Sequence, residues 1–121
     1  MYKQLIITGV ICAFIGVGLG AFAAHGLKQH LSEYERAIWQ TAVDYQMYHA
    51  LGLILIGLLA HNLSINLQFA GWIMFTGILL FSGSLYTLSL TGIKALGMIT
   101  PIGGLCFLIA WSWVAIAVFK K

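Results

Sequence analysis

Four long stretches without Asp, Glu, Lys or Arg run along the chain, at residues 5–24, about 45–60, 67–91 and 95–119. At the helical rise, 20 such residues reach about 30 Å, the thickness of a hydrocarbon core. None of the four alternates polar with apolar positions, which excludes a barrel and leaves helices as the way to satisfy the backbone in lipid. The pattern therefore predicts four transmembrane helices. Brief links at residues 61–66 and 92–94, with Asn, Ser and Gly as turn formers, force consecutive spans to run antiparallel.

The stretch between the first two spans, residues 25–44, is polar yet patterned. Ser32-Glu33-Tyr34-Glu35 reads as a capping box, in which hydroxyl and carboxylate each satisfy a free amide at a helix start. Beyond it Tyr34, Ile38, Ala42 and Tyr45 recur on one face, and Glu33, Arg36, Gln40 and Asp44 on the other. This predicts an interfacial amphipathic helix over residues 32–44 with Trp39 at the headgroup level. No proline or glycine interrupts Ser32 to Leu51, so a break before the second span would have to come from packing. The expected fold is all-α: a polytopic membrane protein with four transmembrane helices in an antiparallel bundle plus that interfacial helix, forming one transmembrane domain over residues 1–121.

Composition narrows the class further. Of 121 residues, 61% are hydrophobic and 7% charged, too little polar surface for an aqueous globule. The net charge of +3 is scattered over ends and loops, so a basic nucleic-acid binder is excluded. No internal repeat, low-complexity tract or soluble appendage is present in which catalysis could reside. Met1-Tyr2-Lys3, an apolar run and Ala21-Phe22-Ala23 have the outline of a signal peptide, but the run exceeds the roughly 7 to 15 residues of a signal core. The same run carries Gly9, Ala13, Gly16, Gly20 and Ala24 at three- or four-residue steps, a smooth stripe that lets another backbone approach. Cys12 and Cys106 lie inside spans and read as small packing residues.

Antiparallel threading sorts the polar residues. With the N-terminus on side A, the first span ends on side B at His25, and the second begins there with Asp44, Tyr45, Gln46, Tyr48 and His49. The third span ends on side B with Ser82, Ser84 and Tyr86, and the fourth starts there with Thr100 and Pro101. Polar groups below the headgroups are unfavourable unless they pair or line a wet cavity, so these residues are expected to point inward as one cluster. Pro101, with Gly97, Gly103 and Gly104 nearby, is expected to kink or unwind the first turns of the fourth helix and free carbonyls toward the cluster.

His25 and His49 are placed at comparable depth. There they fasten helices through Tyr45, Tyr48, Gln46, Ser84 or a freed carbonyl, handle protons or a solute, or ligate haem or a metal. No H-x-x-x-H, C-x-x-C or C-x-x-C-H spacing supports a metal or haem, and no cofactor is expected. Asp44 orients His49 or pairs with Arg36 or Lys28, and Tyr45, four residues before His49, shares its face. The hydroxyls of Ser82, Ser84, Thr87 and Ser89 can also bond their own preceding turn. No nucleophile stands beside a base at a recognisable spacing, so no enzymatic activity is expected.

These motifs in combination resemble those of a family of small bacterial membrane proteins, domain-of-unknown-function 423. The resemblance rests on Gly20 through Leu27, Trp39 through Ala50, Phe81 through Tyr86 and Thr100 through Gly104; a eukaryotic set called transmembrane protein 256 looks similar. It implies a four-span protein of the bacterial inner membrane, and no reaction, ligand or catalytic residue. The leading expectation is a non-enzymatic bundle whose partners are the lipid bilayer and a second copy or a larger membrane complex. The alternatives are solute or proton passage through the side-B cluster and, behind it, a haem- or quinone-linked redox subunit. Basic residues divide three against three, Lys3, Lys120 and Lys121 on side A and Lys28, Arg36 and Lys94 on side B, so the charge rule assigns no orientation.

Overall fold

The structure, a computed structural model, describes residues 2–121; Met1, where the single domain was expected to begin, lies outside the described residues. Four helices carry the chain: α1 (Tyr2–His25), α2 (Glu33–Leu63), α3 (Gln68–Thr91) and α4 (Thr100–Lys120), with a 3-10 segment at Lys94–Met98 before the last. All four are long and apolar enough to cross a membrane, so the protein is a multi-pass all-α membrane protein.

Local chemistry sets the helix ends. At the start of α2 the Glu35 amide donates to Ser32 Oγ at 3.1 Å and the Ser32 amide donates to the Glu35 carboxylate at 2.9 Å, completing the capping box. α2 ends at Ser64 in the left-handed region, its N–H directed to the carbonyls of Ala60 and His61. α3 ends at Gly92, where φ of 71° suits a residue without Cβ. Pro101 occupies the first turn of α4, where its missing N–H interrupts no helical bond, so it starts the helix and does not kink it. The fourth candidate span, Lys94–Lys120, takes in the 3-10 segment as well as α4.

The segment 32–44 is not a separate interfacial helix. It forms the first turns of α2, whose 31 residues extend about 46 Å at the helical rise and overreach a hydrocarbon core of about 30 Å. Its buried side also differs from the predicted one. Trp39, Ala42, Val43, Gln46, His49, Ala50, Leu53 and Ile56 form the inward seam, while Tyr34 is exposed. Trp39 is 3% exposed, packed inside the protein and not turned outward as an amphipathic surface helix would have it.

α2 and α3 form the centre. α1 lies mainly against α2 and α4 mainly against α3, and among the described residues α1 and α4 do not touch. The array is therefore open, with two outer helices that each keep a broad face toward lipid. Toward side A the interior is apolar: Leu5, Leu53, Ile56, Leu67 and Met74 are fully buried. Glycines allow the close approach there: a Cβ on Gly9 would sit 2.6 Å from the Ala50 carbonyl oxygen, and one on Gly57 would sit 3.0 Å from that of Tyr2.

Candidate functional site

The half of the bundle toward side B is held by a different chemistry. Among the described residues, the side-chain hydrogen bonds that cross between helices either engage α2 between Glu35 and Gln46 or join α3 to the start of α4. Gln46 is the hub. Its Nε2 donates to the Cys12 carbonyl of α1 at 2.8 Å, and its Oε1 accepts the Tyr86 hydroxyl of α3 at 2.6 Å. The Tyr86 ring meets Trp39 edge-on, centroids 4.7 Å apart, and Trp39 Nε1 donates to the Leu19 carbonyl at 3.0 Å. An indole N–H in the membrane needs an acceptor, and this bond explains why Trp39 turns inward.

Hydroxyls continue the pattern. Ser82 donates to the Ala42 carbonyl at 2.7 Å and Ser89 to the Glu35 carbonyl at 2.8 Å, both across the α2–α3 interface. Ser84 donates to the Phe81 carbonyl at 2.9 Å and lies 2.5 Å from the Thr100 hydroxyl, linking α3 to α4. Thr87, by contrast, bonds only its own preceding turn at Gly83.

The predicted cluster is thus brought together in part. Gln46, Ser82, Ser84, Tyr86 and Thr100 join helices, whereas His25 is exposed at the end of α1. His49 lies well inside the span. Its Nδ1 is 2.8 Å from the Tyr45 carbonyl and its ring stacks on Phe107 of α4, centroids 3.5 Å apart and 6° from parallel. Because α2 near His49 lies level with residues 9–12 of α1, the two histidines are separated by about 20 Å along the bundle. Their expected common depth is corrected by the extra length of α2. Asp44 accepts from Gln40 at 2.8 Å and neither orients His49 nor engages Arg36 through the buried Nε, which has no partner. Tyr45 stacks on Phe81 at 4.5 Å, Tyr48 is 60% exposed, and Pro101 is exposed on the first turn of α4.

In the predicted glycine stripe, Gly9 and Gly16 are buried against α2, Gly20 meets Val43 and Ala13 is half-buried, while Ala24 is exposed. Sequence reasoning missed the contacts at Gly52, Gly71, Gly77 and Gly103, and it missed Phe107 and Trp111 as the neighbours of His49.

A groove of about 460 Å³ opens sideways between α1 and α3, walled by Ile11, Ile15, Phe75 and Leu79 with Gln46, Ser82 and Tyr86 at its floor. Of the expected side-B cluster, Gln46, Ser82 and Tyr86 line it, and His25, His49 and Pro101 do not. Among the described residues no three His, Cys, Asp or Glu side chains gather as a metal-binding group, and both cysteines are buried thiols.

Residues 19–104 match the profile of a family described as "Protein of unknown function (DUF423)". The chain belongs to the DUF423 family. The match contains every side chain of the interhelical ladder, from Trp39 to Thr100. Among similar proteins, a UPF0382 membrane protein of Staphylococcus haemolyticus is 52% identical over 118 residues, covering 98% of this chain and 97% of the relative. The UPF0382 membrane protein YwdK of Bacillus subtilis is 51% identical over 120 residues, with 98% of each chain covered, and one from Staphylococcus saprophyticus is 49% identical over 118 residues, also with 98% of each covered. No solved structure matches the chain.

Proposed function

We propose that this DUF423 member is a non-enzymatic scaffold of the bacterial cytoplasmic membrane that works as a homo-oligomer or as a component of a larger membrane complex. The observation that carries this reading is the engagement of Gln46: its amide joins α1 and α3 to α2 at once, so a buried polar group on the side-B half acts as a clamp. Solute passage or redox chemistry would need polar side chains left to face a ligand, and Ser82, Tyr86 and His49 are instead engaged with protein. The open array supports assembly, since α1 and α4 each leave most of their apolar surface outside the fold, where helices of other chains can pack.

Two measurements test this. His49→Ala should lower unfolding stability in detergent by about 1–2 kcal/mol, through lost stacking and a small cavity, while exposed His25→Ala should stay within about 0.5 kcal/mol of the parent. Equal behaviour of the two would show that the stack of His49 on Phe107 does not hold α4 to α2. For assembly, cysteines placed at exposed Val17 of α1 and Leu108 of α4, in a background with Cys12 and Cys106 replaced by alanine, should cross-link to another chain in native membranes. Full labelling at both positions with only monomer recovered would sink the scaffold reading.

A further inference from the structure

We propose that a cleft between the end of α1 and the overhanging start of α2 binds the phosphate of an anionic phospholipid headgroup. The cleft, of about 300 Å³, is lined by Gly20, Ala23 and Ala24 on one wall and by Lys28, Arg36 and Gln40 on the other.

Depth is the first argument. Counting about 20 residues of helix back from the side-A end of α2 reaches Asp44, so Arg36 and Gln40 stand beyond the hydrocarbon, beside the last apolar turn of α1. That is the level of phospholipid phosphates. The wall supplied by Gly20, Ala23 and Ala24 is small and apolar, which leaves room for the glycerol and first methylenes of a lipid directly below two cations.

Charge is the second. The chain has three acidic residues, and each is otherwise placed: Glu35 accepts from the Ser32 amide, Asp44 accepts from Gln40, and Glu33 is exposed on the first turn of α2. Arg36 Nε is covered by protein and has no hydrogen-bond partner. A covered, unpaired N–H is unfavourable, and a guanidinium matches phosphate oxygens in a planar fork, so small adjustment of the side chain toward a phosphate satisfies it.

Preorganisation is the third. Lys28 does not sit on a loose loop, because the preceding Leu27 is buried with Trp39 and Val43. The turn is tied by Gly26 and Leu27 amides to the Phe22 carbonyl and by His30 and Leu31 amides to the Leu27 carbonyl. The backbone that carries the lysine is thereby held at the cleft beside Arg36 before any ligand arrives.

Native mass spectrometry of the full chain in detergent, with phosphatidylglycerol and phosphatidylcholine of identical acyl chains, tests the assignment. The parent should retain phosphatidylglycerol over phosphatidylcholine. Lys28→Gln and Arg36→Gln should each reduce that retention about fivefold, as expected for one cation at a membrane surface, and Arg36→Lys, which keeps the charge and loses the planar fork, should fall between the parent and Arg36→Gln. Lys28 is exposed, so its variant reports even if Arg36→Gln disturbs folding. Lys94→Gln, a cation on the same side outside the cleft, should leave retention unaltered. Equal retention of the two lipids, or unchanged retention in Lys28→Gln, overturns the site; equal loss in Lys94→Gln reduces it to general surface charge and also overturns it. Displacement of phosphatidylglycerol by inorganic phosphate would assign the cleft to a free anion and overturn the lipid reading.

Discussion

Gln46→Leu is expected to lower unfolding stability in detergent by about 2–3 kcal/mol, because it strands a buried hydroxyl while deleting two helix-joining bonds. Leucine fills the space nearly as well as glutamine, so lost volume contributes little. The Cys12 carbonyl keeps its place in the α1 ladder and loses only an additional donor. Tyr86 bears the damage, since its hydroxyl meets Gln46 Oε1 at 2.6 Å at the floor of the apolar groove between α1 and α3, where surrounding hydrocarbon offers no substitute partner. Hydrogen bonds inside membrane proteins average about 0.6 kcal/mol when both reference states find partners; the larger figure here follows from the orphaned hydroxyl.

A double-mutant cycle separates the two contributions. Tyr86→Phe alone should cost about 1 kcal/mol. Gln46→Leu combined with Tyr86→Phe should be less destabilised than the sum of the single variants by about 1 kcal/mol or more, since no group is then left unpaired. Additive effects would mean that Gln46 and Tyr86 act independently, and the clamp would lose its centre.

The limits of sequence reading follow from the solvent. Span count and the α2 capping box were legible because both depend on local composition and spacing. The inward side of the first turns of α2 was not, because a pattern of polar and apolar positions does not say which of them faces protein when the surroundings include lipid. Tyr34 is exposed and Trp39 buried there, while further along Leu51, Leu55 and Leu58 are more than half exposed, and in a bilayer that exposure is favourable. Trp39 illustrates this: its aromatic body and polar tip suit a membrane boundary, but an acceptor 20 residues earlier on α1 draws it inward.

The candidate cluster was partly legible for a related reason. Antiparallel threading assigns Gln46, Ser82, Ser84, Tyr86 and Thr100 to one half of the bundle, where their side chains make bonds between helices. Depth was the quantity that spacing could not supply: the continuous α2 overhangs side B, so residues counted from its apolar run are displaced inward relative to those at the end of α1. His25 and His49 part company on that account. Ser82 and Ser89 bond across helices while Thr87 bonds backward, a choice made by which carbonyl the neighbouring helix presents.

Gly103→Ala is expected to be at least as damaging as loss of the Gln46 clamp, at about 3 kcal/mol, although it adds one methyl group. The new Cβ would collide with the backbone nitrogen of Phe81 and lie 2.8 Å from its Cα. A flexible side chain could swing aside; backbone cannot, so α4 must move away from α3, and overpacking of this kind costs about 1–3 kcal/mol before secondary losses. Those losses are specific. Phe107, one turn further along α4, stacks on His49 and lies 5.6 Å from Phe81, and its ring occupies the space a Cβ on Gly77 would need. Displacing α4 withdraws Phe107 from all three. The next residue provides the control: a Cβ on Gly104 would meet nothing closer than the Phe81 ring at 3.9 Å. Gly104→Ala should therefore be neutral or stabilising by up to about 1 kcal/mol through helix propensity. Unfolding both variants in the same detergent distinguishes the explanations, because a general effect of alanine in the first turns of α4 would move them together, whereas the close crossing at Gly103 requires them to move apart.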